Sequence, residues 1–181
     1  MSTHPRKVAA FDFDGTITER DTLAGFLLYV GGRRAMARAV ARNGAAMVSG
    51  LNDDAARDAA KEAVLGSVLR GRLETEVAEA GRRYASLLPR RFRPDIVAKT
   101  AWHRSEGHEM VIVSASLVYY LEPVAEALGF GAVIGVEMEG DDDGRRAGAL
   151  ARPNVRAAQK AIRLREWLAS TAGNDGSGSD R

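Results

Sequence analysis

Among its 181 residues the chain has no cysteine. That absence excludes disulfides, zinc–thiolate sites and a cysteine nucleophile. It suits a reducing compartment, so a cytoplasmic location is expected. Aromatic residues make up only 6%. No basic stretch is interleaved with them, so no nucleic-acid partner is expected. No apolar run reaches the about 18 residues of a membrane span. The first apolar run is short and broken by Asp12 and Asp14, which is not the pattern of a secretory signal. Neither sign of charge is in excess: Lys and Arg number 26, Asp and Glu 24, for a formal net charge of +2. There is no internal repeat and no Walker loop. Gly129, Gly131 and Gly135 do not form a dinucleotide-binding fingerprint, and they precede a strand candidate rather than follow one.

What is present is globular: 45% hydrophobic and 28% charged residues exclude a disordered, collagen-like or rod-like chain. The length suits one domain with room for one insertion. Lys7 to Asp12 reads as a buried strand opening into a loop. Asp21 is placed to cap a helix over Thr22–Val30, which Gly31-Gly32 stops. Helices are expected over Arg33–Val48, over Asp53–Arg70 before Gly71, and over Leu73–Leu88 before Pro89. Pro94 suits the first turn of a further helix ending at Gly107. A β-branched run from Glu109 to Val113 leads into Ser114-Ala115-Ser116, and a helix from about Leu117 to Gly129 follows. Ala132–Met138 is a third strand candidate. The Asp141-Asp142-Asp143-Gly144 turn would let Arg145–Leu150 pair back as a hairpin. Asn154 is placed to cap a last helix through Leu168. The small polar residues 169–181 could not fill a core and are expected to form a flexible tail. Strand–helix alternation at both ends, interrupted by helices alone, predicts an α/β fold. A parallel-sheet core (1–18 and 89–168) would carry an all-helical insertion (19–88).

Chemistry concentrates in Phe11-Asp12-Phe13-Asp14-Gly15-Thr16. Two carboxylates two residues apart at a strand end point to one face. They repel, and so need a cation or a shared proton. Mg²⁺ is one solution, because it takes hard oxygen ligands and often holds phosphate too. The other reading is an acidic turn in which Asp14-Gly15 reverses the chain. Ser114 lies at a strand–helix junction, where a hydroxyl and free N–H groups make an anion site or simply cap the helix. Lys160 falls in the apolar stripe of Ala157, Ala161, Leu164 and Leu168, so it must snorkel or meet an anion. Arg34, Arg38 and Arg42 form an i, i+4 row. That row is read as a solvated face, with a membrane- or phosphate-facing stripe as the alternative. His103 and His108 are five apart with Gly107 between them, off the spacing that sets two ligands on one helical face. Asp141–Asp143 lacks the spaced ligands of a calcium loop.

Phe11–Thr16 with its apolar lead-in resembles motif one, DxDGT, of the haloacid-dehalogenase-like hydrolases. Val111–Ser116 resembles motif two and Lys160 motif three. The resemblance extends over about Lys7–Leu168. It implies a Rossmann-like core and a Mg²⁺-dependent phosphomonoester hydrolase working through an aspartyl phosphate. Asp12 would be the nucleophile. Asp14 would be the general acid–base, and both would take part in binding the metal. Thr16 would hold the loop and belong with Ser114 and Lys160 to the phosphate site.

Order and spacing resemble the phosphoserine-phosphatase-like branch, whose helical cap follows motif one. There Asp21 occupies the place of a substrate-contacting acid. The implied substrate is a small phosphorylated metabolite, phosphoserine-like compounds included, and the oligomeric state is left open. Motif four of the family, a strand followed by Gly-(Asp/Asn)-Ser-x-x-Asp, has no intact counterpart after Leu168. Gly173-Asn174 echoes its start, and Asp175 or Asp180 is the candidate remaining ligand. The departure implies a missing C-terminal core strand. It also raises the alternative of a catalytically weak or inactive phospho-ligand-binding domain of the same fold.

Overall fold

The computed structural model describes residues 6–49 and 53–172. Its centre is a parallel sheet of β1 (Val8–Phe11), β2 (Glu109–Leu117) and β3 (Ala132–Val136), in the order β1-β2-β3. Parallel neighbours need long crossovers, and helices supply them. α4 (Pro94–Ser105) leads into β2, and α5 (Val118–Leu128) joins β2 to β3. β2 is covered on both faces, with Met110, Val111, Ile112 and Val113 all buried. That explains why its sequence is a continuous apolar run instead of an alternating one. β1 pairs Val8 to Phe11 with Glu109 to Ile112 of β2. No strand among the described residues pairs with its other edge.

Between β1 and α4 lie only helices: α1 (Leu23–Ser49), α2 (Asp54–Leu69), α3 (Glu74–Ala85) and a short 3₁₀ turn (Leu88–Arg91). The expected stop at Gly31-Gly32 is a break inside α1. Gly32 has φ 70° and ψ 173°, outside the helical region and costly for any side chain. Asp53 caps α2, accepting from the N–H groups of Ala55 and Ala56 at 3.1 and 3.3 Å. Gly66 and Gly81 let helices approach main chain closely. A Cβ on Gly66 would lie 2.4 Å from the carbonyl oxygen of Gly148, and one on Gly81 would lie 2.2 Å from that of Tyr119. One apolar cluster runs from the sheet (Val111, Ile112, Ile134) into the helices (Phe26, Leu65, Val77). Tyr120 lies at its middle, its ring 5.0 Å from Phe26 and 5.5 Å from Tyr84.

The hairpin forms as expected from β4 (Met138–Gly140) and β5 (Arg146–Leu150). Its turn is held by the Asp141 carboxylate, which accepts from the N–H groups of Asp143 and Arg145. Other expectations are corrected. The third strand does not run from Ala132 to Met138. It ends at Val136 and a separate strand begins at Met138. β2 continues to Leu117, past both serines. Its ladder with β3 shifts register between Val113 and Leu117, an irregularity of the kind that re-aims side chains.

Asn154 caps no helix. It is 5% exposed, and α6 (Ala158–Ala172) starts four residues later, after Ala157 at φ 45°. The inner row of α6 is therefore not Ala157 and Ala161, which are exposed. Arg163 is buried, while Leu164 and Trp167 pack against the core. Residues 169–172 are helical instead of tail-like. The remainder of the expected tail, with Asp175 and Asp180, lies outside the described residues. No helix among the described residues is long and apolar enough to cross a membrane.

Candidate active site

The loop after β1, the end of β2, the start of α6 and the inward side of α2 enclose a cleft of about 290 Å³. It opens at the carboxyl ends of the strands, where open α/β sheets take their ligands. Asp12, Asp14, Asp21, Ser114 and Lys160 all line it, although they come from segments as much as 148 residues apart (160 − 12). Thr16 does not line it. Its main-chain N–H donates to the Phe13 carbonyl at 3.2 Å, so it serves the turn.

The two carboxylates have different surroundings. Asp12 Oδ1 accepts from the Phe13 N–H at 2.8 Å, and its Oδ2 receives the Lys160 ammonium at 2.6 Å. Both partners of that ion pair keep partial access to solvent. Lys160 thus meets an anion at the place where sequence alone allowed snorkelling. Asp14 is turned the other way. Its Oδ1 accepts from the N–H and hydroxyl of Thr22 at 2.8 and 2.7 Å, and its Oδ2 accepts from the Ser116 hydroxyl. Burial pushes the Asp14 carboxyl above the ordinary carboxylate range, and the nearby Asp21 adds to this. The bonds from Ser116 and Thr22 offset only part of the rise. A carboxyl so placed can hold a proton and hand it over. Ser114 is 1% exposed, and its oxygen accepts from the Ser116 N–H at 3.1 Å, which leaves its own proton available. Asp21 caps α1 as expected, accepting from the N–H groups of Leu23 and Ala24, and it also borders the cleft.

Four further residues of the site were not among those expected there from the sequence. Ser116 had a signal, being the second serine two places along the same strand and so on the same face. Asp58, Lys61 and Asn154 had none. The Lys61 ammonium donates to the Ala115 carbonyl and, at 2.8 Å, to Asn154 Oδ1, while Asn154 Nδ2 donates to Asp58 Oδ1 at 2.7 Å. This chain ties α2 to the loop after Ser114 and to the approach to α6. Desolvation lowers Lys61 to about 8, partly offset by Asp58, Asp21 and Asp14.

His103 and His108 meet as well, Nδ1 to Nδ1 at 2.9 Å against Trp102 and Phe11, because Gly107 folds the chain back between them. Helical spacing does not capture such a turn. Neither ring lines the cleft. Among the described residues no three His, Cys, Asp or Glu side chains gather as a metal-binding group. The candidate ligand Asp175 lies outside those residues.

Comparison with known proteins places the chain in a family. The model of the haloacid dehalogenase-like hydrolases matches residues 9–178, and the chain belongs to that family. It is 37% identical over 164 residues to protein CicA of Caulobacter vibrioides, covering 90% of this chain and 73% of CicA. Among solved structures it is similar to a Bordetella pertussis Tohama I protein of unknown function. That match has a TM-score of 0.76 and 25% identity, covering 92% of this chain and 75% of the other. A phosphoserine phosphohydrolase-like protein from Francisella tularensis shares the fold, with a TM-score of 0.60 and 16% identity over 90% of this chain and 73% of the other. The fold is thus that of the phosphoserine-phosphatase-like members of the family.

Proposed function

We propose that the chain is a Mg²⁺-dependent phosphomonoester hydrolase acting on a small phosphorylated metabolite in the cytoplasm. The observation that carries this reading is the Asp12–Lys160 pair at 2.6 Å beside a carboxyl, Asp14, that burial keeps ready to be protonated. An Asp12 oxygen attacks phosphorus, forming an acyl phosphate as the bond to the leaving oxygen breaks. Asp14 gives its proton to that oxygen, then takes one from the water that hydrolyses the acyl phosphate. The Ser114 hydroxyl donates to a phosphoryl oxygen, and Lys160 offsets the charge that builds on the phosphoryl group.

The cleft's oxygens, from Asp12, Asp14, Ser114 and Ser116, are the hard donors that Mg²⁺ takes. The Asp14 carboxyl is already engaged by three donors. The resemblance to the family implies that the Asp12 carboxylate and the Asp14 main-chain carbonyl would hold the ion. When bound, it supplies charge neutralisation of the phosphoryl oxygens. Residues 19–88 act in this reading as a cap over a core of 1–18 and 89–168, screening the reaction from bulk water.

Phosphate release from small monoesters, with and without Mg²⁺, tests the reading. Turnover should require the ion and fall by roughly three orders of magnitude or more in Asp12→Asn. Undiminished turnover in that variant rejects Asp12 as nucleophile. Tight phosphate binding by the wild type with no turnover replaces the hydrolase with a phospho-ligand-binding domain.

A further inference from the structure

The row Arg34, Arg38, Arg42 acquires a partner surface in the fold. The second half of α1 packs on α2, and the chain turns at Gly71 immediately beyond α2. Between them lies a second cleft, of about 320 Å³, lined by Arg38 and Arg42 from one side and Arg70 and Arg72 from the other. Among the described residues no Asp or Glu lines it.

Several guanidinium groups elsewhere find carboxylates: Arg83 with Glu79, Arg93 with Asp95, Arg146 with Glu74 and Arg152 with Glu166. Among the described residues none of the four cleft arginines forms an ion pair. The acids next along the chain are engaged elsewhere, Glu74 by Arg146 and Glu76 by the Leu73 N–H. Main-chain carbonyls one turn back account for part of the arrangement. Arg72 Nε donates to the Val68 carbonyl at 3.0 Å, and Arg38 Nε donates to the Arg34 carbonyl at 3.3 Å. Each of those bonds uses one donor of five, so the forked ends remain to be satisfied. Four cations around one concavity repel, and a multiply charged anion both removes the repulsion and matches the paired N–H geometry of arginine.

We propose that this cleft is a second anion site, separate from the Asp12 centre, which takes a ligand carrying two or more phosphoryl charges through Arg38, Arg42, Arg70 and Arg72.

Calorimetry with inorganic pyrophosphate tests it, using the full chain carrying Lys160→Met in EDTA so that the Asp12 centre is weakened as a competing site. One site is expected, with affinity falling as salt is raised. It should weaken roughly tenfold or more when Arg38→Gln and Arg42→Gln are added, the loss expected for charge-assisted hydrogen bonds. Arg38→Lys with Arg42→Lys should restore part of the affinity, which separates lost contacts from lost folding. No heat, or equal affinity with and without the glutamines, overturns the proposal. A second arm adds vesicles containing an anionic phospholipid. Sedimentation with them that pyrophosphate competes away assigns the anion to a lipid headgroup. Pyrophosphate binding without sedimentation assigns it to a soluble ligand, and either result supports the site.

Discussion

The cleft at Asp12 and the cleft between α1 and the α2–α3 turn are close in size, about 290 and 320 Å³, and opposite in how they treat charge. In the first, cations meet acceptors: Lys160 has Asp12, Lys61 has Ala115 and Asn154, and Arg156 has Asp54. Carboxylates there are held by donors from three segments. In the second, four arginines line one space, with no carboxylate among its described lining residues. A region that balances its own charges can hold them at fixed distances, as bond-making requires. A region that leaves like charges together is completed only by something from outside. On the two proposals, chemistry and recognition meet at one helical segment, since α2 contributes Lys61 to one cleft and leads into Arg70 and Arg72 of the other.

After Asp12→Asn, removing the cation from the balanced cleft should have the largest effect. Lys160→Met leaves Asp12 without its 2.6 Å partner and should lower turnover by roughly 10²–10³-fold, measured as kcat on a small phosphomonoester. Asp14→Asn should cost turnover about 10²-fold yet stabilise the fold near neutral pH. Because the folded-state pKa of Asp14 is raised, its contribution is fully favourable only below the unfolded value of 3.8. That contribution is lost as pH rises through the folded-state value. An asparagine keeps an acceptor toward Thr22 and offers a donor toward Ser116 without the buried charge. A lower Tm for the variant at pH 7 would contradict this.

Lys61→Met probes the tie between α2 and the sheet. The Lys61 pKa falls from 10.5 to about 8 on folding. Between those values the unfolded chain therefore holds a proton that the folded chain has released. Wild type should gain stability relative to the variant as pH rises through that window, and urea midpoints at pH 7 and pH 10 measure it. The smallest effect is expected for Arg34→Gln. Arg34 shares the row of Arg38 but does not line the second cleft. Pyrophosphate affinity should therefore change by less than about twofold, as for a screened surface charge. A drop as large as for Arg38 would mean that net charge is felt and no particular contact.

Much of the site was legible because its signals are local. Asp12 and Asp14 stand two apart at the end of an apolar run, and Ser114 follows a β-branched one, so both segments read as strands that open toward one cleft. The glycine stops at Gly32, Gly107 and Gly129 were legible too, and all three adopt positive φ. Asn154 was misread because a cap is judged by its neighbours in sequence, whereas its partners, Asp58 and Lys61, are more than 90 residues away. The inner row of α6 was misphased for a related reason. The helix begins only after Ala157, and a shift of a few residues rotates the whole face.

Sequence by itself determined the strands, the helix breaks, the acid pair and the family to which they belong, since each rests on propensities and spacings within a few residues. Tertiary structure alone decided which charges are answered. Only packing brings Lys160 to Asp12 and Lys61 to Asn154, or buries Asp14 enough to raise its pKa. Packing also sets Arg38 and Arg42 against Arg70 and Arg72. The strength of a charge depends on its distance to other charges and on the water left around it, and neither exists until the chain has folded.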